Sequence, residues 1–178
     1  MTAMRRVTTP RLVLEPQVAK HADAMFALLQ DPAIYEHENE PPASIEWLRE
    51  RFRKLESRTS ADGQEAWLNW VVRGASSELM GYVQATIHRD ASAAIAYVFA
   101  SRYWGRGFAS EAVDAMLAEL AEYHSVRSVH AVLKRDNLRS IRLLERCGFT
   151  RARYPVAAAI DAVPDEWILQ RELPGETR

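Results

Sequence analysis

Arg102-Tyr103-Trp104-Gly105-Arg106-Gly107-Phe108-Ala109-Ser110-Glu111 is the stretch on which the fold turns. Ahead of it, Ala94 to Phe99 is apolar and short, as a strand would be. Behind it, Ala109 to His124 repeats Ala112, Val113, Met116, Leu117 and Leu120 at three- and four-residue spacing, the signature of a helix with one buried face. Two glycines between them allow a tight strand-to-helix turn. The first N–H groups of a helix lack internal partners and carry partial positive charge. A glycine turn that exposes them makes a cradle for an anion or pyrophosphate, although a plain turn would use the same residues. The dinucleotide fingerprint G-x-G-x-x-G is not met, because Ser110 stands at the third glycine position.

Upstream, the pattern is that of a meander. Trp67 to Arg73, Leu79 to His88 and Ala94 to Phe99 read as three strands separated by the short turns Gly74–Ser77 and Asp90–Ser92. Turns this short join antiparallel neighbours, since parallel pairs need long crossovers. Arg11 to Pro16 is a further strand candidate, and Val18 to Gln30 a helix stopped by Asp31-Pro32. A polar loop from Tyr35 to Pro42 then leads to a helix capped by Ser44 and fraying near Arg58. Downstream the order is strand–helix–strand: Ser128 to Leu133, then Asn137 to Cys147 with Gly148 as C-cap, then Arg151 to Val156 and Glu166 to Leu169. With no repeat and no linker, residues 1–178 read as one mixed α/β domain.

Composition narrows the function. The 178 residues are 48% hydrophobic and 26% charged with a net charge of −1, a globular balance that offers nucleic acid no basic footprint. No apolar run approaches the roughly 20 residues of a membrane span, and the N-terminus lacks a signal-peptide core. A cytoplasmic location is the expectation. A single cysteine, Cys147, excludes an intramolecular disulfide and a cysteine-built zinc site. It is expected to be buried and inert.

A second motif, Asn137-Leu138-Arg139-Ser140-Ile141-Arg142-Leu143-Leu144-Glu145-Arg146-Cys147-Gly148-Phe149, follows the glycine turn after one helix and one strand. Together the two motifs resemble the GNAT superfamily of N-acetyltransferases, and most closely its RimJ/RimL-type branch. The resemblance extends through Thr9-Pro10-Arg11-Leu12, Asp31-Pro32, Glu78-Leu79-Met80-Gly81-Tyr82 and Asp165-Glu166-Trp167. It implies a twisted, mostly antiparallel mixed sheet of about six or seven strands flanked by about four helices. It also implies acetyl-CoA as cosubstrate, no metal, and a primary amine as acceptor, on a protein N-terminus or a small molecule.

Residue by residue, the resemblance places the pantetheine arm along the edge of Tyr97, Val98, Phe99 and Ala100. The pyrophosphate falls on the amides of Gly105, Arg106, Gly107, Phe108 and Ala109. Arg102 takes the motif's Gln/Arg position, Asn137 its pantetheine-binding asparagine. Many relatives place an acidic tyrosine seven residues after that asparagine; Leu144 stands there, so Ser140 becomes the candidate acid for the departing thiolate. Glu36, His37, Glu38 and Glu40 would border the acceptor pocket, whether as a base or as a solvated acidic loop. His88 is a further candidate base, better read as an exposed strand-end histidine, and Asp161 is another carboxylate near the C-terminus. Trp67, Trp70 and Trp167 are expected in the core, while Trp104 either packs or walls the cofactor groove. An α-amine, with a pKa of about 7.7–8.0 against about 10.4 for lysine, needs less help from a base. The rival readings are an amino-sugar or antibiotic acetyltransferase and a non-catalytic acyl-CoA-binding module. Exposed strand edges are compatible with a homodimer.

Overall fold

Alternation of side chains along Ala66–Arg73 decides which layer each residue joins. Leu68, Trp70 and Val72 point to one face and Val71 to the other, and all four are buried. A strand apolar on both faces must lie inside a sheet covered on both sides. In the computed structural model, which describes residues 3–37, 39–153 and 163–174, this strand is β3 of an eight-stranded sheet. The elements in chain order are β1 (Val7–Thr8), β2 (Val13–Pro16), α1 (Ala22–Leu28), α2 (Ile45–Leu55), β3 (Ala66–Arg73), β4 (Leu79–Ile87), β5 (Ser92–Phe99), α3 (Phe108–Tyr123), β6 (Ser128–Lys134), α4 (Leu138–Arg146), β7 (Thr150–Arg151) and β8 (Glu166–Glu172).

The strands lie in the order β1-β2-β3-β4-β5-β6-β8-β7. β3, β4 and β5 form the antiparallel meander that the short turns require. The one parallel pair is β5 with β6, joined through α3. The sheet has more strands than the six or seven expected. The two-residue β1 adds an edge against β2 and is too short to show any period. The Val18–Gln30 segment is a shorter helix than its apolar spacing suggests. A 3₁₀ turn over Ala19–His21 precedes α1, and His21 Nδ1 accepts the Val18 N–H at 3.1 Å to hold that entry. Of the expected strand from Arg151 to Val156, Arg151 falls in β7, and residues 154–162, Val156 and Asp161 among them, lie outside the described residues.

Two cores sandwich the sheet. Leu68, Trp70, Val83 and Ala85 meet Val113, Met116 and Leu120 of α3 and Ile141 and Leu144 of α4. On the opposite face Val71 and Tyr82 meet Met25 of α1 and Leu48 and Phe52 of α2. Trp70 is fully buried and its indole donates to the Arg5 carbonyl at 2.9 Å. Trp67 and Trp167 are only half-buried; each lies under a cationic side chain, Lys54 and Arg151 respectively.

Gly81 is the tightest point of the sheet. A Cβ added there would sit 2.0 Å from the Val98 carbonyl oxygen, a backbone atom of the paired strand. Gly81→Ala therefore has to pry β4 from β5. We expect a loss of about 2–3 kcal/mol and a melting temperature lower by roughly 5–10 °C. An unchanged thermal unfolding midpoint would show that the two strands have slack to give.

Candidate active site

The parallel pairing of β5 and β6 is brief. It joins Ser92, Ala93 and Ala94 to Ser128, Val129 and His130 and then ends, while β5 continues to Phe99 along β4 and β6 continues to Lys134 along β8. The two strands part, and the edge of β5 from Ile95 onward faces a cleft. The N–H of Ala100 bonds to the Met80 carbonyl across β4 at 3.0 Å. Strand alternation then turns the main-chain groups of Tyr97 and Phe99 away from β4, toward the cleft. The Phe99 carbonyl accepts the Trp104 indole N–H there at 2.9 Å.

Tyr97, Val98, Phe99, Trp104, Ala109, Asn137, Arg139 and Ser140 line this cleft, with Ile34, His37, Asn39 and Leu143. The structure thus brings the expected site residues Tyr97, Val98, Phe99, Ala109, Asn137 and Ser140, with His37 of the loop, to one place. Ala100 is different: its side chain is fully buried against α1 and its N–H is already bonded. Arg102 is exposed and its guanidinium lies over the Tyr103 ring at 4.8 Å.

Gly105, Arg106, Gly107 and Phe108 connect Trp104 to Ala109 at the end of the cleft. Gly105 and Gly107 have φ of +72° and +79°, a region L-residues rarely adopt. Gly107 is the N-cap of α3 without a capping side chain. The N–H groups from Gly105 to Ala109 donate to no described residue. Five unpaired N–H groups at the positive end of a 16-residue helix, with Arg106 beside them, suit a pyrophosphate.

The turn is clamped from the N-terminus of the chain. Glu111 accepts the Thr9 hydroxyl at 2.6 Å, the Arg11 N–H at 3.0 Å and Arg11 Nε at 2.6 Å. Arg11 Nη1 then donates to the Arg106 carbonyl at 2.9 Å. Burial alone would push the Glu111 carboxyl up, but the bonds from Thr9 and Arg11 outweigh it and hold the group below its ordinary value.

On the opposite wall, Asn137 Oδ1 caps α4 by accepting the Ser140 N–H at 3.2 Å. Capping and ligand binding are compatible here, because the side-chain N–H groups of Asn137 have no described partner and the residue lines the cleft. The Ser140 hydroxyl lies within hydrogen-bonding reach of the Tyr97 hydroxyl, which donates to the Ser140 carbonyl at 3.4 Å. Burial pushes Tyr97 up to about 12, so it remains a neutral phenol. Leu144 is core. Trp104 walls the cleft and carries the Arg139 guanidinium 3.4 Å above its ring. Cys147 is buried, and desolvation lifts its thiol to about 12, as an inert cysteine requires.

Of the loop residues, His37 reaches the cleft and Glu40 a neighbouring cavity; Glu38 lies outside the described residues. His37 Nδ1 is 3.2 Å from Asp136 Oδ1, one residue before Asn137. An imidazole that donates from Nδ1 keeps Nε2 as its acceptor. His88 is half-buried, not exposed. It stacks on His130 with ring centroids 6.2 Å apart, and it lines neither cavity. The neighbouring cavity, of about 330 Å³, lies between the sheet and α2. It shares Ile34, Asn39 and Val98 with the cleft.

A split sheet that ends on a glycine turn with unpaired N–H groups and opens to a second cavity has room for an extended, anion-bearing ligand and a second molecule beside it. The family comparison agrees. The model described as Acetyltransferase (GNAT) domain matches residues 11–150, and the chain belongs to the GNAT acetyltransferases, which use acetyl-CoA. A Bacillus licheniformis protein named uncharacterized N-acetyltransferase p20 is 24% identical over 151 residues, covering 83% of this chain and 84% of that one. Among solved structures, RimL, a ribosomal L7/L12 alpha-N-protein acetyltransferase in complex with coenzyme A, has a TM-score of 0.77 at 18% identity; the match covers 95% of this chain and 98% of that one. Spermidine N-acetyltransferase from Vibrio cholerae, with CoA and spermine, has a TM-score of 0.74 at 20% identity, covering 92% and 96%. These two likenesses show the fold. No helix among the described residues is long and apolar enough to cross a membrane.

The Glu111 clamp gives a test. A carboxyl whose folded pKa is lowered adds stability above its ordinary value, near 4.5, and loses it as the pH falls through the lowered one. Glu111→Gln should cost about 1–2 kcal/mol near neutral pH. The gap to wild type should narrow as the pH falls below about 4.5. A gap that stays constant down the acid limb in thermal unfolding would mean that the carboxylate charge does not hold the turn.

Proposed function

We propose that the protein transfers the acetyl group of acetyl-CoA to a primary amine by direct attack on the thioester, in the manner of the RimJ/RimL-type branch. The observation that carries this reading is the cleft where β5 leaves β6. It offers the main-chain groups of Tyr97 and the Phe99 N–H turned away from β4, unpaired N–H groups at the glycine turn, and Asn137 and Ser140 on the facing wall. The main-chain edge at Tyr97 and Phe99 pairs with the pantetheine amides. Asn137 binds the pantetheine, and the turn from Gly105 to Ala109 with Arg106 holds the pyrophosphate.

The neutral amine enters from the cavity behind Val98 and attacks the carbonyl carbon. A C–N bond forms, the carbonyl opens to an oxyanion and then closes, and the C–S bond breaks. The nitrogen sheds one proton to His37 Nε2, whose ring is oriented by Asp136. Glu36 Oε2 lies 3.8 Å from that nitrogen. The thiolate takes a proton from the Ser140 hydroxyl, which water resupplies. With Leu144 in the core, no tyrosine at that helix position can serve instead. A non-catalytic module would need neither an imidazole nor a serine hydroxyl on the cleft. A protein N-terminus or a small amine in the cytoplasm fits the reaction, and a homodimer would leave both cavities intact if it formed on a sheet edge.

Steady-state kinetics test the roles. Ser140→Ala should lower kcat by about 10²-fold or more, with the KM for acetyl-CoA within twofold. His37→Gln should lower kcat/KM for the amine by a similar factor, with the KM for acetyl-CoA within twofold. Unchanged turnover in Ser140→Ala would assign thiolate protonation to water, and an unchanged kcat/KM in His37→Gln would remove the imidazole from the reaction.

A further inference from the structure

The cavity behind Val98 has a floor of carboxamides. Gln17 follows β2 and its N–H bonds to the Asn69 carbonyl at 2.9 Å; Asn69 pairs with Gln84 in register. Three neighbouring strands thus place Gln17, Asn69 and Gln84 in one row, and all three line the cavity. Gln17 is 3% exposed and Asn69 is 5% exposed. Carboxamides this deep are expected to be paired, yet Gln17 Nε2 is buried with no hydrogen-bond partner. Asn69, on the same floor, has no side-chain hydrogen-bond partner among the described residues, and an unmet donor lining a cavity asks for an oxygen acceptor from a ligand.

The charges point the same way. Arg58, 8% exposed, donates to the Gln17 carbonyl and keeps Nη1 unpartnered behind the floor. Among the described residues the lining carries one carboxylate, Glu40, and one guanidinium, Arg51. A polyamine supplies only N–H donors and several positive charges. It would leave the Asn69 N–H groups unmet and set several ammonium groups beside the Arg51 guanidinium, with Glu40 as the one lining carboxylate to balance them. Tyr35 and Tyr82 complete the walls with apolar rings that carry hydroxyls, and burial lifts Tyr82 to about 12, so it stays neutral.

We infer that the acceptor is a monoamine whose body is uncharged and carries carbonyl or hydroxyl oxygens close to the amine, held by the carboxamide row Gln17–Asn69–Gln84, and that polyamines are excluded. The inference rests on the acetyl-transfer reading of the site and specifies its second substrate. A peptide-like α-amine and an amino sugar share this chemistry.

Isothermal titration of the CoA-loaded protein with L-alaninamide, D-glucosamine and spermidine tests it without requiring turnover. The expected result is that alaninamide or glucosamine binds at least tenfold more tightly than spermidine, the better of the two naming the source. Gln17→Leu and the half-buried Gln84→Ala should each weaken that amine at least fivefold, with CoA affinity within twofold. Gln84→Ala guards against a folding defect in the more deeply buried variant. Tighter binding of spermidine, undiminished amine affinity in both variants, or no amine binding to a protein that does bind CoA would overturn the inference. Failure to bind CoA at all would instead overturn the acetyl-transfer reading on which it rests.

Discussion

β5 is paired along its whole length on one side and along only three residues on the other, and the site depends on that asymmetry. Backbone N–H and C=O groups inside a protein need partners, so a strand that leaves its neighbour must be compensated or must await a ligand. Here both occur. The Trp104 indole takes the Phe99 carbonyl, and the Asp31 carboxylate takes the Ser101 N–H at 2.6 Å just beyond the strand. The remaining edge is left for an extended chain bearing amides. Gly81 lets β4 approach close enough to carry β5 alone, and the Thr9–Arg11–Glu111 clamp fixes the turn into which β5 delivers the chain.

The same geometry sets how the chemistry is divided. Groups that touch the cleft are a serine hydroxyl, an imidazole and a tyrosine kept neutral by burial. Acetyl transfer to an amine that is already neutral asks little more of them, because alignment of nitrogen and thioester supplies much of the barrier reduction. The reactive-looking Cys147 is taken out of play by desolvation, 3.9 Å from the Ser110 carbonyl in the α3–α4 core. The neighbouring cavity meets the cleft at Val98, their shared wall.

What the sequence discloses are the features written in consecutive residues. The glycine turn, the Asn137 cap, the Ser44 cap and the loss of the tyrosine position to Leu144 are all local patterns, and each stands where its spacing puts it. The carboxamide row is not legible that way. Gln17, Asn69 and Gln84 are far apart in sequence and meet only through strand register, although Asn69 between the buried Leu68 and Trp70 is a polar residue in a core run that could have raised suspicion. His37 gains its meaning from Asp136, 99 residues away. The burial of Ala100 and the outward stack of Arg102 likewise follow from packing that no motif records.

Occupation of the β5 edge and the glycine turn by acetyl-CoA is the central claim. Calorimetric titration of acetyl-CoA into the wild type and Gly105→Glu tests it most directly, because a Cβ at Gly105 meets nothing within 4 Å and the only structural cost is the left-handed backbone. Binding by the wild type with at least a tenfold loss in the variant, whose carboxylate would face the pyrophosphate, is the predicted result. Equal affinity in the two proteins would contradict the placement of the cofactor and, with it, the reading of the cleft.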